Sequence, residues 1–260
     1  MTYLTFHLLF ILPPILVLAR TVPRPLPSGD RWGWSSLAMM ALVALVYTTP
    51  WDIHMVNQGV WGYERDNVLG TIGGVPIEEY LFFMLQPLLT GLWFYRLLRR
   101  NDRLASSAPS TGVRLIGALC WLAVGLAGLV ALRSPSTYYL GMILAWAGPV
   151  LALQWAYGGG SIWELRRIWL LATLAPTVYL CAADRVAIGQ GTWHISEQHT
   201  TGIGVFGLPI EEATFFLVTN LMVVQGLFAV MRLLARLHAT RSTPNVRSGP
   251  TAVSSGGRSR

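Results

Sequence analysis

Seven separate runs of apolar residues constrain this chain more than any other feature of its sequence. They are Thr2–Ala19, Trp34–Thr49, Pro76–Leu98, Val113–Leu132, Thr137–Tyr157, Arg167–Ala183 and Pro209–Leu234. A helix needs about 20 such residues to cross about 30 Å of hydrocarbon. The runs are continuous rather than alternating, which predicts helices and not the strands of a barrel. The second and sixth are short and are expected to tilt or to be partly capped by protein. Composition agrees, with 53% hydrophobic and 12% charged residues, where a soluble domain carries about 25% charged. The expected fold is all-α: a polytopic membrane protein with seven transmembrane helices. No basic region precedes the first run and no cleavage site follows it, so it reads as a retained helix.

A net charge of +7 raises nucleic acid as a partner, but the placement of the charge answers otherwise. All 19 basic residues are Arg. Sixteen lie in Arg20–Gly33, Arg96–Arg114, Glu164–Arg167 and Arg232–Arg260, and only Arg65, Arg133 and Arg185 lie on the opposite side. The positive-inside rule then puts the N-terminus outside and the C-terminus in the cytoplasm of a cell-membrane protein, with membrane lipids as its surroundings and no nucleic-acid partner. The Ser-, Gly-, Thr- and Arg-rich tail from Ala239 reads as disordered. Cys120 and Cys181 fall in apolar runs without metal-ligand spacing and read as inert thiols; no metal site is expected.

The chain repeats itself. Thr2-Tyr3 and Pro14 match Thr137-Tyr138 and Pro149, 135 residues on; Asp52 and Trp61 match Asp184 and Trp193, 132 residues on. Pro76-Ile77-Glu78-Glu79 with Phe82-Phe83 matches Pro209-Ile210-Glu211-Glu212 with Phe215-Phe216, 133 residues on. The expected organisation is two tandem three-helix parallel repeats, residues 1–105 and 134–238, joined by a linker helix in 106–133 and followed by a tail in 239–260. Three spans plus one linker keep both repeats in one orientation, about a pseudo-two-fold axis along the membrane normal.

Nine of the 12 acidic residues fall at or near the outer face, which topology does not require. Among them are the two Glu pairs. Pro76 and Pro209 suit a first helical turn, where no N–H is needed. Phe82 and Phe83 lie four residues after Glu78 and Glu79, so each carboxyl is expected to have a ring on its own helix face, and the same holds in the second copy. Carboxyl pairs beside rings in a low-dielectric chamber can keep a proton to donate, and ring faces stabilise a nearby carbocation. Glu in a first turn also simply offsets the helix dipole. Two matched copies at a membrane face favour function over that reading. Glu78, Glu79, Glu211 and Glu212 are therefore the candidate catalytic residues, and Phe82, Phe83, Phe215 and Phe216 the candidate substrate contacts.

Asp52 and Asp184 end the second and sixth runs, where their charge opposes the helix dipole. They are either further substrate-binding residues or solvated interfacial groups, Asp184 having Arg185 as a local partner. Trp51, Trp61 and Trp193 read as interfacial belt aromatics, and His54, His194 and His199 as loop residues without ligand spacing. Gly202, Gly204 and Gly207 satisfy a dinucleotide fingerprint but lack its preceding strand in a βαβ unit. They read as loop glycines.

At the paired Pro-Ile-Glu-Glu-x-x-Phe-Phe motifs the sequence resembles the integral-membrane lycopene cyclases, and in carrying both copies it resembles their fused form. The resemblance extends to about Leu237. It implies cofactor-independent β-ring formation on the ends of a linear carotenoid taken from the bilayer (lycopene to γ- or β-carotene), with the Glu pairs as acid and base. It leaves ring type open, and a second copy of the chain stands as a further candidate partner. A retinal protein is excluded because no Lys is present for a Schiff base. A proton-coupled transporter or channel stays as the alternative, since paired acids in a parallel repeat fit it. A structural subunit of a heteromer is a third reading, which a chain carrying both motifs disfavours.

Overall fold

The computed structural model describes residues 1–22, 32–99 and 111–242. Within them seven helices are long and apolar enough to cross a membrane. They are α1 (Tyr3–Thr21), α2 (Trp32–Asn57), α3 (Ile77–Arg99), α4 (Thr111–Ala131), α5 (Tyr138–Glu164), α6 (Arg166–Gly189) and α7 (Ile210–Ser242). Thr2 caps α1, its Oγ1 accepting from the Thr5 N–H at 3.2 Å. One turn later α1 widens into a π-turn, His7–Ile11, directly before Pro13 and Pro14. The wider turn accommodates the loss of the two N–H donors that those prolines lack.

Two of the expected short runs are long helices. Pro50 lies inside α2, not at its end, and α2 continues to Asn57; α6 continues to Gly189. Asp52 and Asp184 consequently lie inside their helices rather than at the ends, five residues before Asn57 and Gly189. A proline interrupts one helical hydrogen bond and bends the chain, but protein packing on both sides lets the helix resume. Helix α7 reaches Ser242, past Ala239; residues 243–260, where the rest of the expected tail falls, lie outside the described residues.

Among the described residues six short strands fill the loops at one end of the bundle. β1 (Trp61–Tyr63) pairs antiparallel with β4 (Trp193–Ile195), in the register Trp61↔Ile195 and Tyr63↔Trp193. β2 (Thr71–Ile72) with β3 (Val75–Pro76), and β5 (Gly204–Val205) with β6 (Leu208–Pro209), form two tight hairpins. The hairpin turns need two successive residues at positive φ: Gly73 and Gly74 in one, Phe206 and Gly207 in the other. Of the fingerprint-like glycines, Gly204 and Gly207 are thus hairpin residues, and Gly202 lies in the loop before β5. Pro76 and Pro209 close β3 and β6 immediately before α3 and α7, one residue ahead of the expected first-turn position. A strand end tolerates the missing donor equally well.

Helices α3 and α7 are the most enclosed spans and α4 the least. Between α3, α6 and α7 a buried polar cluster forms. Gln86 Nε2 donates to Asn220 Oδ1 at 2.6 Å, Thr90 Oγ1 donates to the same oxygen, and Asn220 Nδ2 donates to Thr177 Oγ1 at 3.0 Å. Helix α4 lies on α5 through glycines. A Cβ on Gly128 would meet Ala145 N at 2.5 Å, and one on Gly148 would meet Gly125 Cα at 2.6 Å, the close backbone approach that small residues permit between membrane helices.

Candidate active site

The two residues of each Glu pair have different surroundings. Glu78 Oε1 accepts from the Leu69 N–H at 2.8 Å, and Glu211 Oε1 accepts from the Thr201 N–H at 2.7 Å. Next to these bonds, Ile77 N–H donates to Gly70 O at 3.0 Å and Ile210 N–H to Ile203 O at 2.9 Å. The first carboxyl of each pair therefore fastens the strand that leads into its hairpin to the start of its helix. Sequence reasoning grouped all four carboxyls as one type; the structure separates Glu78 and Glu211 from the other two.

One residue on is about 100° around the helix, and there Glu79 and Glu212 face inward. Tyr3 and Tyr63 both donate to Glu79 Oε2, the second at 3.3 Å. Tyr139 donates to Glu212 Oε1 at 2.6 Å. Tyr3 and Tyr139 each pack against a tryptophan delivered by the strand of the opposite half. Tyr3 lies 4.8 Å from Trp193, and Tyr139 lies edge-on to Trp61 at 5.5 Å. The hydroxyl that meets Glu212 belongs to Tyr139, one residue beyond the Tyr138 that sequence matching paired with Tyr3. Tyr138 instead meets His54 Nε2 at 2.9 Å.

Glu79, Glu212 and Asp184 line one cavity of about 40 Å³, walled by Phe82, Phe215, Phe216, Trp61 and Trp193. Both glutamates are buried, and no arginine lines the cavity among the described residues. Asp184 is held by Trp193, whose Nε1–H donates to Oδ1 at 2.9 Å. Arg185, its expected partner, turns away and donates to Phe206 O. Asp52 is fully buried but does not line the cavity, and neither of its oxygens has a hydrogen-bond partner among the described residues. Phe83 also stands apart, lining an adjoining apolar cavity with Phe82 and Phe215. Outside the spans, burial and then the charge of Glu79 push the Tyr63 phenol well above its ordinary value, so it persists as a proton-bearing donor.

Sequence reasoning missed Tyr3, Tyr63 and Tyr139 as site residues and took Trp61 and Trp193 for belt aromatics. The signal was there in part: Trp61 and Trp193 are matched copies, and a tyrosine opens the first helix of each half. The two sides are not identical. The antiparallel register puts Ile195 where Tyr63 stands in the first half, so Glu79 has two phenol donors and Glu212 has one.

Residues 1–98 and 136–230 match the family described as lycopene cyclase. The lycopene beta-cyclase of Halobacterium salinarum is 46% identical over 235 residues, covering 90% of this chain and 98% of that protein. A bifunctional lycopene cyclase/phytoene synthase of Sporisorium reilianum is 39% identical over 90% of this chain, which spans 36% of that longer protein. A protein of the same description from Aspergillus oryzae is 35% identical over 78% of the chain. No solved structure matches. The matched segments contain both Glu pairs, the paired strands and the three tyrosines that bind the inner glutamates, and this chain belongs to the lycopene cyclase family.

Proposed function

We propose that this chain closes β-ionone-type rings on the ends of lycopene by proton-initiated cyclisation, with Glu79 and Glu212 as the acid–base pair. The observation that carries the reading is their shared cavity: one carboxyl from each half, walled by aromatic rings and without arginine among its described lining residues. An acid proton adds to C2 of the terminal 1,2-double bond and leaves a tertiary cation at C1. The 5,6-double bond attacks C1, forming the C1–C6 bond and moving the cation to C5. A carboxylate then removes the C6 proton, restoring the 5,6-double bond. One proton enters and one leaves, so the reaction is an isomerisation whose electron balance needs only an acid and a base. The faces of Phe82, Phe215 and Phe216 can stabilise the passing cation.

Hydrogen bonding suggests the division of labour. Two phenols directed at Glu79 favour its carboxylate, and one directed at Glu212 favours it less. We assign Glu212 as the donor to C2 and Glu79 as the acceptor from C6. The proton then passes back within the same cavity. Glu78 and Glu211 anchor the hairpins, and Asp184 borders the reacting end. The arginine distribution supports an outer N-terminus and a cytoplasmic C-terminus, with the site toward the outer leaflet.

The test is expression in a lycopene-accumulating bacterium with pigments resolved by chromatography. The unaltered chain should yield cyclised carotenoid, and Glu79→Gln and Glu212→Gln should each leave lycopene. Full ring formation by either variant would end the acid–base assignment; lycopene unchanged by the unaltered chain would end the cyclase reading.

A further inference from the structure

Aromatic residues outside the proposed chemistry form a path from the surface to the site. Tyr47, on α2, is 38% exposed on the outside of the bundle, and its ring stacks on Trp146 of α5 at 5.3 Å and 16°. Trp146 stacks on Trp51 at 4.9 Å and 21°, and Trp51 stacks on Phe215 at 5.7 Å and 6°. Phe215 is 5% exposed and lines the carboxyl cavity. Four rings, each close to parallel with the next, therefore lead from the hydrocarbon-facing side to the wall of the site.

Open volume follows the same course. A groove runs along α2 between Leu42, Val46, Pro50 and Trp146, and its α2 side is exposed. It shares Val43, Tyr47 and Trp146 with an inner cavity of about 220 Å³. That cavity shares Phe82 and Phe215 with the carboxyl cavity. Among the described residues no charged side chain lines the groove or the inner cavity. The Tyr47 hydroxyl donates to Trp146 O at 2.9 Å, joining α2 to α5 at the mouth.

We propose that this groove and inner cavity are the binding subsite for a flat, acyclic conjugated polyene. The polyene enters sideways from the bilayer between α2 and α5. It lies along the ring stack and presents its terminal double bonds past Phe82 and Phe215 to the carboxyls. The choice of polyene rests on the cyclase reading above. The absence of charge among the described lining residues disfavours a lipid headgroup, and the mainly apolar and aromatic walls suit a hydrocarbon chain. A carboxyl cavity of about 40 Å³ is too small to hold more than the reacting end, so the rest of the chain must lie in an adjoining volume.

The experiment uses the full chain in lipid nanodiscs, with Cys120 and Cys181 replaced by Ala and a single new cysteine, Val46→Cys, at the groove mouth. Pyrene maleimide is attached after folding, so the occlusion cannot be confused with misfolding. Labelling should lower lycopene conversion by at least about tenfold relative to the same protein before labelling. The same label on Leu126→Cys, on the exposed face of α4, should change it by less than about twofold. Adding Glu79→Gln allows binding to be read without turnover. Achiral lycopene should gain visible circular dichroism when held in the groove, and lose it when Val46→Cys is labelled. Conversion unaffected by complete Val46→Cys labelling, or dichroism that is absent or survives the label, overturns the subsite. Induced dichroism abolished by the label in a chain that never cyclises lycopene keeps the subsite and sinks only the cyclase reading.

Discussion

Tyr139, near the start of α5, donates a 2.6 Å hydrogen bond to Glu212, near the start of α7, in the buried core of the bundle. Tyr3 makes the corresponding bond to Glu79 from α1. Each half thus holds its inner carboxyl with a phenol from its first helix, and each phenol is backed by a tryptophan from the other half.

Replacing these phenols tests the assignment of acid and base. A hydrogen bond to a charged group contributes roughly 1.5–3 kcal/mol, or about tenfold to a hundredfold in rate if it acts in the transition state. Tyr139→Phe removes the one phenol that donates to Glu212 among the described residues and should lower kcat by that factor. Tyr63→Phe leaves Glu79 with Tyr3 and should cost less, about threefold to tenfold. Initial rates in nanodiscs at several lycopene concentrations separate kcat from KM. A larger loss for Tyr63→Phe than for Tyr139→Phe would reverse the ranking.

Glu78 and Glu211 should respond to shape more than to charge. Glu78→Gln keeps a side-chain oxygen for the Leu69 N–H and should retain activity within about threefold. Glu78→Ala leaves that donor unpaired, at a cost of about 1–3 kcal/mol, and should lower the thermal midpoint in detergent. The parallel pair at Glu211, bonded to Thr201, should behave alike. If Glu78→Gln abolished ring formation while the protein stayed folded, Glu78 would have to take part in proton transfer.

Asn220 tests the polar cluster in the middle of the bundle. Its amide accepts from Gln86 and Thr90 and donates to Thr177, tying α7 to α3 and α6. Measured cross-helix hydrogen bonds in membranes average about 0.6 kcal/mol and reach about 1.7, and Asn220→Ala breaks several at once. We expect about 1–3 kcal/mol of destabilisation, read as a lower denaturation midpoint, with ring chemistry retained in the folded fraction. Unchanged stability would mean that the cluster contributes nothing net.

The seven spans were legible because the hydrocarbon core demands long apolar runs, and a run is a local property of sequence. The ends of α2 and α6 were not, because Pro50 and the two aspartates carry local signals for termination that packing overrides. The Glu pairs stood out through duplication. All four are buried, and their division into Glu79 and Glu212 at the shared cavity and Glu78 and Glu211 at the hairpins depends on helix phase and on where the loop N–H groups fall. The motif repeats the residues without marking that phase. Trp61 and Trp193 were misread for a similar reason. A tryptophan near a span end resembles an interfacial anchor until the pairing of β1 with β4 shows that it crosses to the other half.

That crossing makes the halves interdependent and separable by experiment. The family match falls in two blocks, residues 1–98 and 136–230, and leaves out α4. The contacts that join the halves lie outside α4: the β1–β4 pair, Trp61 on Tyr139, Trp51 on Phe215, and Asn220 with Gln86 and Thr90. A chain cut between Arg99 and Thr111 keeps all of them, losing only covalent continuity. Each fragment alone would expose one inner carboxyl within the membrane and leave its loop strand unpaired, which is unfavourable. The two fragments, co-expressed in a lycopene-accumulating host, should therefore associate and form rings, at no less than about a tenth of the intact rate. Either fragment alone should leave lycopene unchanged. Ring formation by a single fragment would show that one carboxyl suffices, and the shared cavity would lose its role.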